Sequence, residues 1–328
     1  MVKLSVLDLS PITADGDAGT SLKNSLSLAQ HAEKWGFNRY WLAEHHNMQG
    51  IASAATAVVI AHIAGGTNSI RVGAGGIMLP NHAPLIIAEQ FGTLEALFPN
   101  RIDLGLGRAP GTDQATAYAM RRNLDADVDQ FPQDVVELMG YFGEPHPDQK
   151  IHAVPGCGLN IPFWILGSSL FGAQLAASLG LPYAFASHFA PEQMLNAIAL
   201  YRERFRPSAQ LDKPYVMLGY NVFAADTDAQ AHYLASSMQR AFVNLRRGQP
   251  GKLQPPADNY LEQISAGEQM LLQQIMSCSA IGTADKVQVE VQEFLERTQA
   301  DELMITSQIY SHEARLRSYE IVASLELP

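Results

Sequence analysis

Residues 70–113, IRVGAGGIMLPNHAPLIIAEQFGTLEALFPNRIDLGLGRAPGTD, constrain the fold of this chain more than any other stretch. They read as strand, helix, strand. Ile70 to Ala74 is a short apolar run, broken and followed by Gly73, Gly75 and Gly76. Pro84 suits the first turn of a helix, where its missing N–H costs nothing. Leu85, Ile86, Ala88, Phe91, Leu94 and Leu97 recur at helical spacing until Pro99 stops the run. Ile102, Leu104 and Leu106 then alternate as a second strand that ends in Gly107 and Arg108. Both strands finish in glycines at the same end of a βαβ unit. Glycine lets backbone approach a ligand closely, and an arginine beside it points to an anionic or phosphate-bearing ligand.

The same rhythm runs through the rest of the chain. Lys3 to Leu9, Arg39 to Ala43, Phe163 to Leu166, Tyr183 to Ala186, Tyr215 to Phe223 and Glu302 to Thr306 read as further strands. Ser21 is expected to cap a helix running to Trp35, and Ser53 to cap an alanine-rich one ending at Gly65-Gly66. Segments 109–160 and 224–300 break the alternation and read as insertions, the second mostly helical. Eight strands, nearly all followed by helices, predict one (β/α)8 TIM barrel over residues 1–328. In such barrels the site lies at the C-terminal ends of the strands. Here those ends carry Asp8, His45-His46, Gly75-Gly76, Gly107-Arg108, Gly167-Ser168-Ser169 and Ser187-His188.

Several motifs have plainer readings. Gly105-x-Gly107-x-x-x-Gly111 imitates a dinucleotide fingerprint, but its spacing is wrong and Pro110 interrupts it. Glu44-His45-His46 resembles a metal set, yet neighbouring residues on an extended segment face opposite ways. One inward histidine, serving acid–base chemistry near neutral pH, is the preferred reading over a structural one at the rim. No metal site is expected. His82 and the other scattered histidines receive no role. Gly167-Ser168-Ser169 opens a helix whose free N–H groups suit a phosphate, and Arg108 on the adjacent strand favours that reading over simple capping. The net charge of −11 and the lack of a basic stripe argue against nucleic acid. Two cysteines suggest no disulfide framework. No leader or membrane span is read, so a cytoplasmic setting is expected.

LAEHH, RVGAGGIMLP with its following helix, RIDLGLGR and ILGSS resemble the bacterial luciferase-like flavin monooxygenases in order and spacing. The likeness is strong over residues 1–111 and 160–190, and looser elsewhere. LAEHHNM, GIASAAT, LPNHAPLIIAEQFGTL and FASHFAP resemble an enteric-bacterial subgroup of that family more closely.

The resemblance implies a (β/α)8 barrel, usually a homodimer, binding FMN as FMNH2 supplied by a separate flavin reductase. It implies catalysis at His45, a cis peptide at Gly75-Gly76 beneath the flavin ring, and phosphate contacts at Arg108 and Ser168. The expected cofactor contacts are Asp8, Gly75, Gly76, Gly107, Arg108, Gly167, Ser168, Ser169 and Ser187. Gly107 replaces the reactive cysteine of luciferase, so thiol-linked behaviour is not implied. The expected activity is monooxygenation of a small organic substrate. An F420-dependent oxidoreductase and a non-catalytic flavin binder are the alternatives. The 109–160 segment is expected to form a lid, and helices 53–65 and 84–98 the dimer contact. A valine at Gly76 is expected to displace flavin while leaving the fold intact.

Overall fold

A computed structural model of the chain describes residues 2–109, 116, 119–120, 130–145 and 148–327. Part of the expected lid, residues 110–115, 117–118, 121–129 and 146–147, lies outside the described residues. The strands are β1 (Lys3–Asp8), β2 (Arg39–Leu42), β3 (Arg71–Met78), β4 (Ile102–Gly107), β5 (Phe163–Gly167), β6 (Tyr183–Phe185), β7 (Val216–Ala224), β8 (Ser279–Gly282) and β9 (Glu302–Thr306). All pairings between these strands are parallel. β1 to β7 pair in succession, β7 pairs with β9, and β9 pairs with β1, so these eight strands close a barrel. Ten described helices accompany it: α1 (Ala18–Lys34), α2 (Thr56–Gly65), α3 (Pro84–Leu97), α4 (Phe131–Phe142), α5 (Leu170–Leu179), α6 (Met194–Arg204), α7 (Asp228–Arg246), α8 (Ala266–Ile275), α9 (Ala284–Thr298) and α10 (His312–Ala323). None of the described helices is long and apolar enough to cross a membrane.

Strand alternation builds two cores. Val6, Tyr40, Leu42, Ile165, Leu218 and Ile305 face outward and pack in one cluster with residues of the helices. Leu7, Trp41, Trp164, Met217 and Met304 belong to a separate cluster inside the barrel. Both faces of each strand are thus buried, which explains the near-continuous apolar runs. Trp41 and Trp164 meet edge to face with centroids 5.1 Å apart, a geometry worth about 0.5–1.5 kcal/mol beyond area burial.

A charged network spans the N-terminal end of the barrel. Arg39 pairs with Asp103 at 2.7 Å and with Glu302 at 2.8 Å, while Arg71 pairs with Asp103 at 2.6 Å. The Arg39 guanidinium also lies 4.7 Å from the centre of the Trp164 ring. Breaking such a buried network by removing one partner typically costs about 3–5 kcal/mol.

Three sequence expectations are revised. The N-cap of α1 is Asp17, which accepts from the Thr20 N–H at 2.7 Å, and Ser21 lies buried within the helix. Helix α2 begins at Thr56 without a side-chain cap. Ser53 instead donates to the Ala43 carbonyl at 2.6 Å, which ties the loop after β2 back to the strand. The 224–300 segment also contains β8, which pairs with Asn221–Ala224 at the end of β7, outside the barrel ring. With four residues, β8 is too short for alternation to reveal it.

Candidate active site

A cavity of about 400 Å³ opens at the C-terminal ends of the strands, within the size range of small-ligand sites. Its walls are largely apolar, with Met48, Ile51, Phe131, Phe189, Met238 and Phe242 contributing. Of the ten site residues expected from the sequence, eight line it: His45, Gly75, Gly76, Gly107, Arg108, Gly167, Ser168 and Ser169.

The glycines make this space in different ways. The Gly75–Gly76 peptide is cis, and it sits where the β3–β4 register shifts between Ala74 and Ile77. A Cβ on Gly76 would lie 2.7 Å from the Gly105 carbonyl oxygen, and one on Gly75 would lie 2.9 Å from Leu7 Cδ1. Gly76 is therefore demanded by packing against backbone, whereas the nearest atom at Gly75 is the movable tip of Leu7, and the expectation that a valine at Gly76 leaves the fold intact is corrected. Gly107 is different. A Cβ there would meet nothing closer than the Ile77 carbonyl oxygen at 3.8 Å.

β5 ends at Gly167, and α5 starts at Leu170 with Ser169 as its N-cap. The Ser169 side chain makes no capping hydrogen bond, so the first helical N–H groups stay open to the cavity side. Arg108 reaches the same helix start. Its guanidinium lies 4.1 Å from the centre of the Phe171 ring. Among the described residues no carboxylate pairs with Arg108, unlike the buried arginines 39 and 315. A cation, open N–H groups and two serine hydroxyls thus converge where an anion would be held.

His45 follows β2 and lines the cavity, half-buried. His188 faces the same space from the end of β6. Its Nδ1 is buried without a hydrogen-bond partner. Burial, reinforced by the neighbouring His45, pushes His188 down to about 4, so it is neutral at physiological pH. The ring lies over β7, and a Cβ on Gly219 would collide with it. His188, and not the neighbouring Ser187, lines the cavity.

Two expected contacts are corrected. Asp8 alternates with Leu7 and Leu9, which line the cavity, so its own side chain points to the outer face of the strand. There it pairs with Arg315 at 2.7 Å and accepts from Tyr40 at 2.5 Å. Burial alone would raise its pKa, but Arg315 and these hydrogen bonds hold it below the ordinary carboxylate value. Ser187 is fully buried and donates to the Gly219 carbonyl at 2.6 Å. It fastens β6 to β7.

Glu44 and His46 also depart from expectation. They share a face two residues apart, and His82 joins them from beyond the turn that follows β3. Glu44 Oε1 accepts from His46 Nε2 at 2.6 Å and from His82 Nε2 at 2.7 Å, and Oε2 accepts from the Met78 N–H at 3.0 Å. No short-range spacing in the sequence announces His82.

The family model for luciferase-like monooxygenases matches residues 2–302. A luciferase-like monooxygenase from Escherichia coli K12 is 53% identical over 325 residues, covering 99% of this chain and 97% of the relative. The solved structure of apo-MsnO8 is 32% identical, with a TM-score of 0.87 and 98% coverage of both chains. Below 20% identity only the fold is shared. There it occurs in the oxygenating constituent of 3,6-diketocamphane monooxygenase in complex with FMN (17%, TM-score 0.74) and in an F420-dependent secondary alcohol dehydrogenase (13%, TM-score 0.71).

Proposed function

Because the chain belongs to the luciferase-like monooxygenase family, we propose that its cavity binds reduced FMN and directs the reaction of that flavin with O2 onto an apolar organic substrate. The carrying observation is Arg108, which pairs with no carboxylate among the described residues, beside the N-terminus of α5, where Ser169 makes no side-chain cap. F420 also carries a phosphate, but no feature of the described cavity favours it over FMN.

The flavin, when bound, supplies the redox chemistry. The chain binds, orients and shields. Arg108, Ser168, Ser169 and the first N–H groups of α5 hold the phosphate. Gly75, Gly76, Gly107 and Gly167 present backbone without side chains, which suits a flat ring. His45 offers a ring N–H as a hydrogen-bond donor or a proton at the reacting edge. His188, kept neutral, adds a polar group without a charge. Met48, Phe189, Met238 and Phe242 keep water out, which strengthens polar interactions inside and suppresses wasteful hydrolysis.

A homodimer through α2 and α3 fits the surface. Val58 is 70% exposed, Ile86 47% and Leu97 62%, all on these two helices. A separate flavin reductase as electron source and a cytoplasmic setting complete the proposal. The activity is tested by supplying photoreduced FMN, ¹⁸O2 and a panel of apolar ketones and thioethers. Protein-dependent incorporation of ¹⁸O into a product supports oxygenation. Flavin binding with no label in any product points instead to a non-catalytic binder or another redox reaction.

A further inference from the structure

Three of the buried carboxylates among the described residues face arginines. Asp8 faces Arg315, Asp103 faces Arg39 and Arg71, and Glu302 faces Arg39. Glu44, whose side chain is 1% exposed, has no arginine or lysine among the described residues. Its partners there are the imidazoles of His46 and His82 and one backbone N–H. It is a buried carboxylate held only by these imidazoles and this backbone N–H. Isolated buried charge is costly and is normally offset by a paired charge or a metal.

The three side chains also form a ligand set. One donor atom from each of Glu44, His46 and His82 lies within 4.8 Å of the other two. Metal–ligand bonds of about 2.0–2.2 Å place neighbouring donors roughly 3–3.5 Å apart, so small side-chain shifts bring all three onto one ion. The imidazoles are 18% and 24% exposed, which leaves an open side for a water ligand. Two imidazoles and one carboxylate favour a transition metal over magnesium or calcium, which prefer all-oxygen shells.

We propose that Glu44, His46 and His82 form a binding site for a divalent transition-metal ion beside the flavin cavity. The ion replaces the two N–H···O contacts by coordination and supplies the positive charge that Glu44 lacks. It fastens the loop after β2, which carries His45, to the turn after β3, which follows Gly75-Gly76. This role needs no flavin and does not depend on the oxygenase proposal.

The test is a cobalt(II) titration of the metal-stripped, flavin-free full-length protein at pH 7.5, read by visible absorption and calorimetry. One equivalent per chain is expected, together with a higher melting temperature. His82→Ala and His46→Ala should each weaken binding at least tenfold, and Glu44→Gln likewise. Because Glu44 is buried, circular dichroism must first show that its variant is folded. The two histidine variants carry the test if it is not. His152→Ala and His232→Ala, both at exposed positions, should leave binding intact. Absence of saturable one-to-one binding, or unchanged affinity in His82→Ala, overturns the site and leaves a purely hydrogen-bonded carboxylate–imidazole cluster.

Discussion

Arg108 stacks on Phe171, its guanidinium carbon 4.1 Å from the ring centroid. Phe171 belongs to the first turn of α5, so this contact parks the cation over the same helix start that Ser168 and Ser169 precede. The stacking fixes a long side chain in advance and lowers the ordering cost of gripping an anion.

Arg108→Ala should therefore weaken FMN binding by about ten- to a hundredfold, since charge-assisted hydrogen bonds contribute roughly 1.5–3 kcal/mol each. Riboflavin, which lacks the phosphate, should lose little. Parallel fluorescence titrations with the two flavins check this. An equal loss for both places Arg108 away from the phosphate.

The glycines separate packing from ligand approach. Gly76→Ala puts a Cβ 2.7 Å from the Gly105 carbonyl oxygen. Overpacking of this kind costs about 1–3 kcal/mol, so the melting temperature should fall by several degrees even without flavin. Gly107→Ala meets only a contact at 3.8 Å, so it should melt like the parent yet bind flavin more weakly. Melting curves and flavin titrations on the same preparations decide the matter. Unchanged flavin affinity in Gly107→Ala removes that glycine from the ring platform.

Much of this was legible in the sequence. The apolar alternation, Pro84 at a helix start and the glycine-rich strand ends locate the barrel and the strand-end part of the cavity wall. The outward placement of Asp8 is readable from parity: Leu7 and Leu9 face inward, and shifting by one residue turns a side chain to the other face. Ser187 could not be separated from His188 in that way, because β6 ends at Phe185 and alternation ends with it. His82 lies 38 positions from Glu44, and only the folded chain reveals their meeting. Ser53 looked like a cap because of its type, but tertiary contact with Ala43 claimed its hydroxyl.

Asp8 and Arg315 should behave as a structural pair. Arg315→Met leaves Asp8 buried and unpaired, a change that typically costs about 3–5 kcal/mol. Flavin affinity per folded molecule should stay at the parental value. Chemical denaturation and flavin titration separate these effects. A variant with parental stability but weakened FMN binding returns Asp8 to the list of ligand contacts.

His188 links stability to pH. Its folded-state pKa of about 4 lies below the ordinary 6.5. Above 6.5 both folded and unfolded chains carry it neutral, so it imposes no penalty. As pH falls from 6.5 towards 4 the unfolded chain takes up the proton first, and stability declines. The loss is bounded by about 3 kcal/mol. His188→Gln should flatten this part of the profile in flavin-free protein, as read from urea midpoints between pH 7 and pH 4. Parallel profiles for variant and parent contradict the assignment.

The central claim is that the cavity takes reduced FMN. An anaerobic binding titration of one protein preparation with reduced FMN, oxidised FMN and F420 tests it most directly. Reduced FMN should bind the most tightly, with saturation near one equivalent per chain. Saturable binding of F420 with no measurable affinity for either form of FMN contradicts the account.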